Sequence, residues 1–199
     1  MIHRLAMKTA GYLVKNEVGK ADNEEFYIYG IEIMIEKVLT YSVLLILALY
    51  FKLLIPSLLF VAFFILLRGY AGGYHAKTYT GCFIGTVGMY IACSQVVMPI
   101  FLKEEILLFV GLAITITLVL ILAPVNHPNL DLNLNEIKKC KNGVEIVLVI
   151  EVALILGGIL LSVNEVYIVF PLLGMMMCAI LLVIAKIIKQ EVKVHEEKY

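Results

Sequence analysis

The sequence is poor in charge. Only 16% of its 199 residues are Asp, Glu, Lys or Arg, and its 16 basic side chains are matched by 16 acidic ones. A soluble domain carries about 25% charged and about 45–50% apolar residues. Here 62% are apolar and the mean hydropathy is +0.97. That excludes an ordinary water-soluble globule, a disordered chain and a nucleic-acid binder. The four cysteines, Cys82, Cys93, Cys140 and Cys178, include no CxxC pair, so neither a zinc knuckle nor a redox dithiol is indicated. Met1 to Lys20 lacks a continuous apolar run, which excludes a cleavable signal peptide. Neither HExxH nor GxSxG occurs, so zinc and serine-elbow proteases fit poorly. Nothing repeats internally as in an inverted-repeat transporter, and no cofactor is implied.

Apolar runs fill most of the chain. They cover roughly 31–51, 53–67, 82–102, 106–123, 144–163 and 166–188. With about 20 apolar residues per bilayer crossing, these predict an all-α polytopic bundle of six spans. It forms a single integral membrane domain over 1–199. The second run is short, so it pairs with the first in a hairpin around Lys52 and Pro56. Pro99 and Pro171 should bend or cap their helices without abolishing them. Residues 1–28 read as an amphipathic segment: Ile2, Leu5, Ala6, Thr9, Tyr12 and Leu13 recur at helical spacing. That pattern suits a helix in the headgroup plane or a cap packed on the bundle.

Basic residues orient the chain. With the N-terminus in the cytoplasm, the inner segments hold Arg4, Lys8, Lys15, Lys20, Lys37, Arg68, Lys77, Lys138, Lys139, Lys141, Lys186, Lys189, Lys193 and Lys198. The outer turns hold only Lys52 and Lys103. This asymmetry predicts a multi-pass cell-membrane protein with both termini and the loops 68–81 and 124–143 in the cytoplasm.

Chemistry concentrates in the segment 68–82, RGYAGGYHAKTYTGC. It brings a cation, a histidine, a cysteine and four glycines together between two spans. A cysteine nucleophile acts as thiolate, and a nearby imidazole is a common way to form one. Cys82 falls near the predicted start of the third span, with Thr80 as a plausible N-cap, where the backbone N–H groups favour negative charge. Seven residues of straight helix would separate His75 and Cys82 by about 10 Å. Cooperation within one chain therefore needs a fold-back, for which Gly72, Gly73 and Gly81 supply the freedom; the pair can otherwise form between protomers. The residues alone leave open that this is a plain turn beside a core cysteine.

The run Arg-x-x-x-Gly-Gly-x-His-Ala, with Cys seven positions after the His, resembles the accessory gene regulator B (AgrB) family. Chain size, hydropathy profile, the basic loop before the last two spans and, more weakly, Ala123-Pro124 agree. The resemblance implies a membrane cysteine endopeptidase of quorum sensing that processes an AgrD-like propeptide and acts as a homodimer. By position, Cys82 is the implied nucleophile, His75 its base, and Arg68 and Gly73 supporting residues. The active site is then cytoplasmic, and a thioester acyl-enzyme passes its acyl group to a substrate thiol to close a thiolactone. Oxyanion donors are expected first from backbone amides near Cys82 and second from Arg68. Glu36, Asn126 and Glu151 are candidates for orienting His75. Lys138, Lys139, Lys141 and Glu151 are candidates for substrate binding. His127 and Cys140, thirteen apart, read as parts of a connecting loop rather than as metal ligands. The competing function is a peptide or small-molecule transporter, for which Glu32, Glu36 and Glu151 are the only acidic residues at hand. His195 to Lys198 reads as a solvated tail.

Overall fold

A computed structural model describes residues 2–15, 24–76, 78–126 and 132–190. Among them the order is α1 (Ile2–Lys15), α2 (Glu24–Tyr50), α3 (Leu54–Ala71), α4 (Tyr79–Ala92), a π turn (Cys93–Val97), α5 (Met98–Phe101), α6 (Glu105–Leu122), α7 (Leu134–Leu160) and α8 (Val166–Ile187). No strand is present among the described residues. Six helices are long and apolar enough to cross a membrane, with α4, the π turn and α5 acting as one span. The all-α, six-span expectation is met. Lys20, Lys77, His127 and the segment His195 to Lys198 lie outside the described residues.

The spans differ in how much of them is inside the protein. In α8, 72% of the most apolar stretch is buried, against 11% in the α4–α5 span. Helix α8 lies mainly against α3 and α6. Gly174 makes this possible: a Cβ there would fall 2.4 Å from the Phe60 carbonyl oxygen. Around that crossing Phe60 meets the rings of Tyr90 and Phe170 edge-on, at centroid distances of 5.7 and 6.4 Å. The hydroxyls of Ser57 and Tyr90 are 2.6 Å apart and join α3 to α4 inside the bundle. In lipid, close packing and interhelical hydrogen bonds of this kind hold helices together, because lipid tails compete equally for apolar surface.

Element boundaries refine the sequence reading. The first hairpin turns at Lys52, whose φ is 58°, and Pro56 is buried in the first turn of α3. Pro99 follows the π turn. A proline has no N–H to return to the preceding turn, and the wider turn absorbs that loss; Pro171 stays inside α8. Helix α7 starts ten residues ahead of its apolar run. Asn133 and Glu136 close a capping box, each side chain accepting the other's backbone N–H at 2.9 Å. Lys138, Lys139, Cys140 and Lys141 are therefore helical and not part of a loop. The bond Ala123–Pro124 is cis. Helix α1 packs on α2 through Ala6 and Ala10, both 0% exposed, while Leu5, Met7 and Tyr12 point outward. The seam against the bundle is thus alanine. Leu5 and Tyr12 of the expected stripe lie away from it.

Candidate functional site

The segment 68–82 is only partly a loop. Arg68 to Ala71 form the last turn of α3 and Tyr79 to Cys82 the first turn of α4, and the described residues between them, 72–76 and 78, are not helical. Two glycines make that break. Gly72 and Gly73 have φ of 67° and 120°, values that side chains with a Cβ rarely adopt. The N–H of Gly72 returns to Arg68 O at 3.1 Å, ending α3.

Beyond it the chain is pinned on both sides. Val125 N–H donates to Ala71 O at 2.9 Å, and Tyr74 N–H donates to Leu181 O on α8 at 3.0 Å. The Gln190 side chain grips the backbone of His75 twice: its Oε1 accepts the N–H at 3.1 Å and its Nε2 donates to the C=O at 2.8 Å. The segment after α8 thereby fixes the backbone of the candidate base. His75 itself is exposed.

Helix α4 is capped by Thr78, not by the expected Thr80. Thr78 Oγ1 accepts from Gly81 N–H at 3.1 Å, and Thr78 O accepts from Cys82 N–H at 3.1 Å. Thr78 has the extended backbone that an N-cap requires, whereas Thr80 is already helical. Cys82 consequently sits a full turn inside α4. The amides of Gly81 and Cys82 are both occupied.

What surrounds the half-buried Cys82 thiol is polar. The Glu36 carboxyl of α2 and the Thr86 hydroxyl one turn along α4 are its polar neighbours, and the Arg68 guanidinium is within electrostatic reach of it. Cys82 and Arg68 are thus brought together, and Glu36 joins them. His75 is not among the groups acting on the thiol. Glu36 is buried and also takes the Thr40 hydroxyl at 3.2 Å.

Arg68 folds back over the break. Its Nη2 donates to Tyr74 O at 2.6 Å, and its Nη1 is buried with no hydrogen-bond partner. Gly73 creates the room, since a Cβ there would fall 2.5 Å from that same Nη1. The supporting pair of the sequence reading is therefore one mechanical unit, with Gly73 vacating the space that Arg68 fills.

The other candidates go elsewhere. Asn126 staples the turn before α7, accepting Leu132 N–H at 2.9 Å. Glu151 is 1% exposed, and neither of its oxygens has a partner. Cys178 is within electrostatic reach of both it and Arg68. Lys138, Lys139 and Lys141 are exposed on the first turns of α7. Among the described residues no group of three or more His, Cys, Asp or Glu side chains could hold a metal ion.

Two contributors were missed as site residues by sequence reasoning. Tyr79 donates to Glu32 Oε2 at 2.5 Å, and Glu32 Oε1 lies 2.7 Å from His3 Nδ1. The available signal was the Glu32–Glu36 spacing, four apart inside an apolar run and hence on one helix face.

The match of accessory gene regulator B as a family model spans residues 6–190. The chain belongs to that family. The AgrB assignment makes it a membrane protein of agr quorum sensing, with an AgrD-like propeptide as the implied partner. Searches of curated proteins and of solved structures returned no match.

Proposed function

We propose that this AgrB-family protein is a cysteine endopeptidase that removes the C-terminal tail of an AgrD-like propeptide and promotes closure of a thiolactone. One observation carries the reading. The break between α3 and α4 sets a cysteine one turn inside α4, among Glu36, Thr86 and Arg68, beside a chain segment that presents a histidine.

In this mechanism the Cys82 thiol gives its proton to His75 and attacks the scissile carbonyl. The carbon–nitrogen bond breaks, His75 protonates the departing amine, and the acyl group remains on Cys82 as a thioester. A substrate thiol then attacks that thioester. The ring closes and Cys82 recovers its proton. Gln190 anchors the His75 backbone, so rotation of the side chain brings the imidazole to the sulfur or the leaving group. With the Gly81 and Cys82 amides already bonded, Arg68 becomes the favoured oxyanion donor: its Nη1 has a proton to give and no partner. Exchanging an amide for a thioester is uphill, so release of the tail draws the reaction forward. Water must stay out until the ring has closed, which a thiol half-buried among spans favours.

The basic residues at this end of the bundle support a site on the cytoplasmic side, where Lys138, Lys139 and Lys141 would meet an acidic part of the substrate. A homodimer would enlarge the enclosure that one thin bundle offers.

The test is mass spectrometry of the protein in liposomes with an AgrD-like propeptide. Wild type should release the tail and leave a product one water lighter than the linear peptide. Cys82→Ala and His75→Ala should do neither. Equal behaviour of all three forms would overturn the proposal and favour transport.

A further inference from the structure

Three helices meet at one carboxylate. Glu32 of α2 is buried, with one oxygen 2.7 Å from His3 Nδ1 on α1 and the other accepting the Tyr79 hydroxyl at 2.5 Å. Tyr79 is the first residue of α4, and Cys82 follows within the same turn. Tyr29 and Glu36 are the other ionisable groups that act on Tyr79. A buried carboxylate bonded through both oxygens restricts both partners, because an unpaired charge there is costly.

We propose that Glu32 and Tyr79 are positioning residues that make the geometry of the Cys82 turn depend on how α1 is seated; this rests on the cysteine-endopeptidase reading above. Support for that turn is sparse elsewhere. Residues 72–76, which lead into it, are not helical, and α4 belongs to the least buried span. The Tyr79 hydroxyl ties the start of that turn directly to α2.

Helix α1 has the complementary property. It touches α2 through Ala6 and Ala10, while Leu5, Met7 and Tyr12 face outward. The His3–Glu32 contact adds a polar tie to that alanine seam. The outward apolar side chains leave the rest of its seating to the membrane surface. A shift of α1 therefore reaches the nucleophile through two hydrogen bonds, His3 to Glu32 and Glu32 to Tyr79. Neither residue touches the reacting atoms, and their effect is on where the sulfur points.

The experiment uses the full chain in liposomes and two readouts. One is kcat and KM for tail release from an AgrD-like propeptide. The other is the rate at which N-ethylmaleimide alkylates Cys82, followed at that residue by peptide mass spectrometry. Tyr79→Phe should lower kcat about tenfold with KM within about twofold, the signature of lost orientation rather than lost binding. It should also shift the Cys82 alkylation rate by about threefold or more. Ala10→Leu, which lifts α1 without touching the Cys82 turn, should move both readouts in the same direction. Glu32→Gln, which keeps an acceptor for the tyrosine hydroxyl, should retain more activity than Glu32→Ala. His3→Gln, at an exposed side chain that cannot unfold the bundle, should give a smaller loss of about threefold.

Wild-type kcat and alkylation in Tyr79→Phe, Ala10→Leu and His3→Gln would overturn the proposal, as would a change confined to KM. Cys82→Ala is run beside them. If it still releases the tail, the underlying reading fails and the positioning role falls with it. If it is inactive while Tyr79→Phe matches wild type, only the positioning role fails.

Discussion

Helices α8 and α4 divide the work of the molecule. Helix α8 is sequestered along most of its length, and its glycine and methionines fit against α3 and α6; it carries no proposed catalytic group. The α4 span has little of itself inside the protein, yet its first turn holds Cys82 among Glu36, Thr86 and Arg68. Stability sits where the chain is most enclosed. Chemistry sits where polar groups from neighbouring helices converge on a lightly supported turn. In a membrane protein this separation has a physical basis, since a reacting group needs access to its substrate whereas a packed seam needs none.

The sharpest way to test the contrast is to remove the sulfur. Cys82→Ala should reduce tail release by about 10⁴-fold or more while leaving the unfolding midpoint in detergent unchanged. A processed peptide from that variant would break the contrast outright. The reverse case is Gly174→Val. Its added atoms meet the Phe60 backbone, which cannot move aside as a side chain would. A loss of about 3 kcal/mol is expected, read as a lower thermal midpoint whatever the activity.

Gly73→Ala tests whether Arg68 matters through its position. The new methyl occupies the place of Nη1, so kcat should fall about 10²-fold, the size seen when an oxyanion donor is lost. A normal rate in the folded variant would remove Arg68 from the mechanism. The smallest effect belongs to Tyr90→Phe, which deletes the hydroxyl contact with Ser57. Interhelical hydrogen bonds in membranes average about 0.6 kcal/mol, so a small fall in stability with unchanged tail release is expected.

Much of this architecture was legible in the sequence because membrane spans announce themselves by length and apolarity. The break at Gly72–Gly73 was legible for a different reason, the positive φ that glycine permits. Local patterns failed where geometry depends on neighbours in space. Thr80 looked like the cap from the edge of the apolar run, but the polar turn beginning at Tyr79 is helical too, so hydropathy misplaced the start by three residues. The positive charges at the start of α7 resembled a loop until the Asn133–Glu136 box made them helical. The partnership of Glu36 with Cys82, and the grip of Gln190 on His75 across 115 positions, leave no trace in periodicity. Each joins elements far apart in the chain. Glu151 remains as the sequence suggested, an acid inside a span, and among the described residues its oxygens meet no partner.

The π turn at Cys93–Val97 has a consequence for how this span tolerates change. A π turn contains one residue more than the α-helix it interrupts, and one residue corresponds to about 100° of helical rotation. The two parts of the span are thus held in different angular registers: one presents Cys82 to α2, and the other presents Phe101 and its neighbours to α6 and α8. Shortening the chain by a single residue between them would give a regular helix of nearly the same length whose two ends could no longer both face their partners.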